Sequence, residues 1–179
     1  RMRLVGSEMC IRDRIIISGH SCGGLLTLML LSSHPEKVGG GISYMQACFG
    51  QLSKSYKVKK VGPEKALEKF AKKYPGPAEL RARQINNIKN SENVPVLAFT
   101  HPKDKYEGLL SDWLEEVPGV KRIVISEDYK INGKSCVVKG VDWQNKISAQ
   151  KNPGHEMNQA DCFQYYNPTI KEYIASRIK

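Results

Sequence analysis

The stretch Arg14-Ile15-Ile16-Ile17-Ser18-Gly19-His20-Ser21-Cys22-Gly23-Gly24-Leu25-Leu26 decides the fold of this chain. Its isoleucines predict a buried β-strand, and the leucines after Gly24 predict the start of an apolar helix. Between them lies a G-x-S-x-G pattern, whose serine stands on a strained turn from strand to helix, the nucleophile elbow. A side chain at Gly19 or Gly23 is expected to clash where strand and helix approach each other. The alternative is an ordinary glycine-rich turn.

Outward from this stretch, helix and strand patterns alternate along the chain. A buried apolar helix is predicted over Cys22–Ser33, and the last helix begins at Asn167. Further strands are predicted over 38–45, 94–100 and 121–126. The segment 50–92 reads as a lysine-rich connection and two helices that are separated at Pro75-Gly76-Pro77. This alternation predicts an α/β fold with a mostly parallel sheet and helices on both faces.

One segment departs from the alternation. Ile131-Asn132-Gly133-Lys134 has the composition of a two-residue hairpin turn. The sequence therefore predicts a hairpin insertion over 128–147.

Composition and charge describe a globular chain with one basic segment. Hydrophobic residues make up 40% of it, and no apolar run reaches the ~20 residues that span a bilayer. The net charge is +10, but residues 54–89 alone hold eleven Lys/Arg against three Glu. Interleaved aromatic residues and any nucleic-acid module are missing, so no nucleic-acid partner is predicted. A solvated helix face explains the lysines, and attraction of an anionic substrate or an acidic surface is the alternative.

The five cysteines, at positions 10, 22, 48, 136 and 162, include no C-x-x-C pair and no zinc spacing. No metal and no cofactor are predicted, and the spacing favours no disulfide. Residues 7–14 (SEMCIRDR) resemble a translated sequencing adapter, so residues 1–14 are treated as a non-native tail. A genuine N-terminal tail is the alternative. Compartment and oligomeric state stay open.

Two motifs further along the chain supply the partners that a reactive serine needs. A serine hydroxyl requires a base, and the base requires an orienting carboxylate. An apolar strand from Pro95 runs into a turn that ends at Asp104, and a Gly/Pro loop presents His155 before the last helix. The order along the chain is therefore Ser21, Asp104, His155. The rivals for the acid are Asp112, Asp128 and Asp142.

These motifs resemble the α/β-hydrolase superfamily over most of residues 15–179, and within it the dienelactone-hydrolase-like esterase branch. The resemblance implies that Ser21 is the nucleophile, His155 the general base and acid, and Asp104 the orienting carboxylate. It also implies that the backbone N–H of Cys22 is one oxyanion-hole donor, while the Cys22 side chain would point into helix packing. His20 and His101 are candidate substrate contacts.

The activity implied by this resemblance is hydrolysis of a small-molecule carboxylic ester, or a related acyl bond, through an acyl-enzyme. The alternatives are an acyltransferase on the same triad and a non-catalytic binding protein on the same fold. In the family several strands precede the nucleophile strand, and a loop among them supplies the second oxyanion donor. We therefore expect residues 15–179 to be the C-terminal part of such a domain, poorly soluble and weakly active alone, with 50–92 forming a cap-like wall.

Overall fold

The computed structural model describes residues 15–125, 130–131, 134–135, 152 and 154–178. A four-stranded sheet in the order β1-β2-β3-β4 forms its centre, and every neighbouring pair is parallel. The strands are β1 (Ile16–His20), β2 (Gly40–Tyr44), β3 (Val96–Thr100) and β4 (Val120–Val124). Their carboxyl ends therefore meet at one edge, where ligands of open α/β sheets bind.

The described residues contain six α-helices. They are α1 (Cys22–Ser33), α2 (Leu52–Ser55), α3 (Val58–Val61), α4 (Pro63–Lys73), α5 (Pro75–Lys89) and α6 (Asn167–Arg177). The predicted bounds of α1 are confirmed. The connection expected over 50–62 instead contains α2 and α3, because Leu52 and Val58 are buried and organise one turn each. The region after β3 forms 3₁₀ turns at Gly108–Leu110 and Asp112–Glu116.

Two apolar clusters lie on opposite faces of the sheet, as alternate residues of a strand point to opposite sides. Leu97 and Phe99 of β3 pack with Tyr173 of α6 on one face. Val96 and Ala98 pack on the other face, against apolar side chains of α1 and α5, Leu28 and Ile88 among them. The prediction of a parallel sheet with helices on both faces is therefore confirmed.

The helix α1 is not buried on all sides as predicted. Leu25, Leu28 and Leu31 face the sheet and are at most 6% exposed, whereas Leu26 is 57% and Leu30 41% exposed. A helix lying on a sheet buries one stripe, and no described element covers the opposite stripe of α1.

A third apolar cluster belongs to the segment 50–92. Leu52, Val58, Ala66 and Phe70 pack together with Leu110, apart from the two clusters on the sheet. The lysines of α4, Lys65, Lys69, Lys72 and Lys73, are exposed. This segment is thus a small helical layer with its own core and a solvated basic face.

The predicted hairpin is present in part. Strand β5 (Lys130–Ile131) pairs antiparallel with β6 (Lys134–Ser135). The rest of the predicted insertion 128–147, and the predicted tail 1–14, lie outside the described residues. Of the helices that the structure describes, none combines the length and the apolar character needed to cross a membrane.

Candidate active site

Ser21 lies on the turn between β1 and α1 with φ 58° and ψ −123°, a backbone conformation that L-residues rarely adopt. Hydrogen bonds fix this turn from both sides. The Ser21 N–H donates to the Tyr44 carbonyl at 3.0 Å, and the Ser21 carbonyl accepts the N–H of Ala47 at 3.0 Å. The loop after β2 therefore holds the serine at the carboxyl edge of the sheet.

The glycines of the motif have different roles. A Cβ at Gly19 would lie 2.2 Å from the Gly23 carbonyl oxygen, so the predicted close approach is confirmed there. The prediction for Gly23 is wrong, since a Cβ at that position would meet nothing within 4 Å. The next residue faces the strands instead, because a Cβ at Gly24 would lie 2.9 Å from Ser43 Oγ. The rotation of the first helical turn places Gly24, rather than Gly23, against the sheet.

Asp104 lies in the turn that follows β3, and its carboxylate is almost fully occupied. Its Oδ1 accepts the N–H of Tyr106 at 2.9 Å and the side-chain amide of Asn152 at 3.0 Å. Its Oδ2 lies 2.9 Å from Nδ1 of His155. With 3% exposure, the carboxylate is fixed in one orientation away from solvent.

The ring of His155 takes its tautomer from this contact. A carboxylate accepts hydrogen bonds, so Nδ1 carries the proton and Nε2 keeps a lone pair that can act as a base. The loop before it approaches the acid turn closely, because a Cβ at Gly154 would lie 2.6 Å from the Asp104 nitrogen. A glycine at 154 therefore permits the pairing of histidine and acid.

His20 links the histidine loop to the elbow. Its Nε2 lies 2.6 Å from the His155 carbonyl oxygen, and the two rings are 4.7 Å apart. Burial lowers the pKa of His20 below its ordinary value, which favours the neutral ring. His155 thus lies beside His20, the residue that precedes Ser21. The Oγ of Ser21 makes a long contact of 3.5 Å with the Ala47 carbonyl. Apo hydroxyls often tighten their catalytic hydrogen bonds only when substrate binds.

The other residues that the sequence suggested for the site either lie away from the pair of Asp104 and His155 or fall outside the described residues. His101 is fully buried and its Nδ1 accepts the N–H of Lys103 at 3.0 Å, which fits a structural role in the turn better than a substrate contact. Asp112 is exposed and pairs with Arg122 at 2.9 Å. The other two rivals of Asp104, Asp128 and Asp142, lie outside the described residues.

Searches of family models and of curated proteins find no match to this chain. Solved structures do match. An esterase from Pyrococcus furiosus has a TM-score of 0.52 and 16% identity, with 93% of this chain covering 55% of the esterase. An α/β-hydrolase enzyme from the metagenome of sediments of the Mar Chica lagoon, Morocco, has a TM-score of 0.50 and 14% identity, with 92% of this chain covering 63% of it. This chain has the α/β-hydrolase fold.

The chain spans between 55% and 63% of the length of these two structures. The α/β-hydrolase fold explains why Ser21, Asp104 and His155 converge. Ser21 and Asp104 follow the carboxyl ends of two parallel strands, and the loop carrying His155 returns to the same edge. At these identities the likeness extends to the fold alone.

Sequence reasoning missed a covalent link beside the turn that carries Ser21. Cys22 forms a disulfide with Cys48, with the two Cα atoms 4.5 Å apart, so its side chain does not enter helix packing as predicted. Both cysteines follow carboxyl ends of neighbouring strands, β1 and β2, which bond in parallel. Their position at this shared edge could have predicted the disulfide, but only once the pairing of β1 with β2 is known.

Two supporting residues of the acid were also missed. The ring of Tyr106 lies 4.4 Å from the ring of His155, and Asn152 accepts the Lys105 N–H at 3.0 Å while donating to Asp104. Asn152 contacts Asp104 across a long sequence separation, and Tyr106 contacts it through its backbone N–H. The sequence holds no local signal for either contact.

A buried ion pair joins α5 to the chain just after the acid turn. The Arg81 guanidinium donates to both carboxylate oxygens of Glu107, at 3.0 and 2.7 Å, and both side chains are 8% exposed. Burial raises the pKa of Glu107 above its ordinary value, and Arg81 opposes that shift. The segment 50–92 is further held by backbone N–H groups of Ser53 and Lys54, which donate to Tyr106 and Lys105 at 2.7 and 3.0 Å.

A cavity of about 740 Å³ opens between this helical segment and the loop that follows β2. It is lined by Cys48, Phe49, Gly50, Gln51, Leu52, Ser55, Tyr56, Phe70, Lys73, Tyr74, Gly76, Pro77 and Leu80. Among the described residues, no group of three or more His, Cys, Asp or Glu side chains is arranged to hold a metal ion.

Proposed function

We propose that this chain belongs to a serine hydrolase that cleaves a carboxylic ester through an acyl-enzyme, in the dienelactone-hydrolase-like branch of the α/β-hydrolase fold. The single observation that carries the proposal is the buried pair of His155 Nδ1 and Asp104 Oδ2 at 2.9 Å, whose histidine contacts His20, the residue before Ser21 with its φ of 58°. A histidine fixed in one tautomer next to a strained serine is the arrangement that general-base activation requires.

In the proposed reaction Ser21 Oγ attacks the ester carbonyl carbon while His155 Nε2 accepts its proton. The negative charge on the carbonyl oxygen meets the backbone N–H of Cys22, which, as the first residue of α1, has no acceptor within the helix. His155 then protonates the leaving alcohol, and Asp104 stabilises the imidazolium in between. A water molecule, deprotonated by His155, releases the acid and regenerates Ser21.

The proposal includes a low rate for this chain. Cys22 is the one oxyanion donor that we assign among the described residues. Loss of one donor from such a pair costs about 100- to 1,000-fold in turnover. We expect the 179-residue chain to be acylated by reactive esters but to turn over slowly.

Covalent labelling by a p-nitrophenyl phosphonate tests the proposal without requiring turnover. Oγ of Ser21 forms the new P–O bond, p-nitrophenolate leaves, and the serine proton passes to His155. We expect stoichiometric release of nitrophenolate and a modified peptide that contains Ser21. The Ser21→Ala variant should show neither, while Ser33→Ala, at the exposed end of α1, should label at the wild-type rate.

Asp104→Asn provides the second arm, because it keeps the shape of the acid but removes its charge. By analogy with such triads the labelling rate should fall about 10⁴-fold. Labelling that persists in Ser21→Ala would remove Ser21 from the mechanism. Absence of labelling in the folded wild-type chain would favour the binding-protein alternative.

A further inference from the structure

The cavity of about 740 Å³ has a rim of apolar side chains that are not buried in any of the three apolar clusters. Tyr74 is 46% and Leu80 39% exposed, and both line this space. Phe70 and Leu52, which are 4% and 2% exposed, close its inner wall. The volume of about 740 Å³ falls within the ~300–1,000 Å³ of pockets that hold small molecules.

The position of the cavity relative to Ser21 decides which part of an ester it can take. Cys48, one of its lining residues, bonds to Cys22, and the preceding Ala47 carbonyl is 3.5 Å from Ser21 Oγ. His155, His20 and Tyr106 cluster by their ring contacts and do not line this cavity. In the proposed reaction the leaving alcohol must lie next to His155, which protonates it, and this leaves the cavity for the acyl side of the scissile bond.

The lining is poor in charge. Among the described residues that line the cavity, Lys73 is the only one with a charged side chain. Its Nζ lies 5.2 Å from the centre of the Tyr74 ring. This cation–π contact places the exposed ammonium group at the rim, and Phe49, Tyr56 and Phe70 line the interior. A carboxylate at the far end of the acyl group would find no buried partner there.

We propose that this cavity binds the acyl group of the substrate and that this group is uncharged, apolar and several carbons long. The inference rests on the proposed function, since it assigns one side of the Ser21 site. Its physical basis is burial of apolar surface against an aromatic wall, which is worth about fourfold in rate for each methylene removed from water. Short acyl groups such as acetyl would leave the cavity empty and react more slowly.

Two phosphonates that differ only in the carbon chain on phosphorus test the proposal. Both carry the same alkoxy group and the same p-nitrophenyl leaving group, and one bears a methyl and the other a hexyl group, which takes the acyl position. The second-order rate of labelling of Ser21 is measured by nitrophenolate release and by peptide mass. We expect the hexyl probe to react at least tenfold faster than the methyl probe.

Leu80 is the residue at which to change the cavity, because its exposure lets the fold tolerate replacement. Leu80→Trp should narrow the rim and reduce the hexyl-to-methyl rate ratio at least fivefold. The matched control Leu26→Trp, on the exposed stripe of α1, should leave the ratio unchanged. The milder Leu80→Ala should lower the ratio by a smaller factor.

The failures of this inference and of the proposed function are distinguishable. Equal rates for both probes on Ser21, or a ratio that Leu80→Trp leaves unchanged, would overturn the acyl cavity and leave the hydrolase standing. No labelling of Ser21 by either probe would overturn the hydrolase itself.

Discussion

Asn152 connects the two halves of the candidate site with a single side chain. Its amide donates to Asp104 Oδ1 at 3.0 Å, and its oxygen accepts the Lys105 N–H at 3.0 Å. At 5% exposure, water cannot replace either bond if the side chain is removed. The acid turn and the histidine loop are therefore held together by a residue with no chemistry of its own.

We predict that Asn152→Ala lowers the free energy of unfolding by about 1–3 kcal/mol, because it leaves the part-buried Lys105 N–H and the buried Asp104 carboxylate each short of one partner. Urea denaturation followed by circular dichroism measures the loss. Asn86→Ala is the matched control, since Asn86 is exposed on α5. Equal stabilities of the two variants would show that the Asn152 bridge contributes nothing.

At the scale of elements, the junction of β1 with α1 depends on one glycine and not on its neighbour. A methyl group at Gly19 would overlap the backbone of Gly23, and backbone cannot move aside as a flexible side chain can. A methyl group at Gly23 would enter open space, and alanine is a better helix former than glycine.

The pair of alanine variants should therefore diverge. Gly19→Ala should lose about 2 kcal/mol or more of unfolding free energy. Gly23→Ala should be neutral or up to about 1 kcal/mol more stable than the wild type. Thermal or urea unfolding of both proteins decides the matter, and a larger loss at Gly23 than at Gly19 would contradict the described geometry of the elbow.

At the scale of the whole molecule, the buried ion pair of Arg81 and Glu107 joins the helical layer to the part of the chain that carries the acid. Removing one partner of such a pair leaves an uncompensated charge in a site that excludes water. Arg81→Met should therefore cost about 3–5 kcal/mol of unfolding free energy at pH 8. The double variant Arg81→Met/Glu107→Leu should recover most of that loss.

The pH dependence of Arg81→Met gives an independent check. Without its partner, Glu107 in the folded state has a pKa raised above 4.5 by burial, so the folded protein holds a proton that the unfolded protein releases. Stability must then fall as pH rises from 4.5 through that raised pKa. The variant should accordingly lose less stability at pH 5 than at pH 8, relative to the wild type. A loss independent of pH would contradict the buried-charge explanation.

The sequence predicted what is local and periodic. The strand before Ser21, the bounds of α1 and the parallel sheet follow from runs and stripes of apolar residues that any packing must bury. Asp104 and His155, the predicted acid and histidine, lie together because their loops meet at the carboxyl edge of the sheet. The hydrolase fold itself was therefore recoverable from residues 15–26 and the two later motifs.

Other features required distances that no local pattern contains. Cys22 and Cys48, or Arg81 and Glu107, are 26 residues apart in each case, and their pairing depends on how the loops after β1, β2 and β3 fold over the sheet. The error at Gly23 has the same origin. The direction of its Cβ depends on the rotation of α1 about its axis, and a G-x-S-x-G pattern does not specify that rotation.

The backbone of Ser21 has a consequence for how such a protein could evolve. A conformation at φ 58° and ψ −123° suits glycine, and for a residue with a Cβ it costs on the order of 1–3 kcal/mol. Natural selection for thermal stability alone would therefore favour the replacement of Ser21 with glycine. A serine that persists at this position, in a conformation that folding alone disfavours, would then indicate selection for an activity.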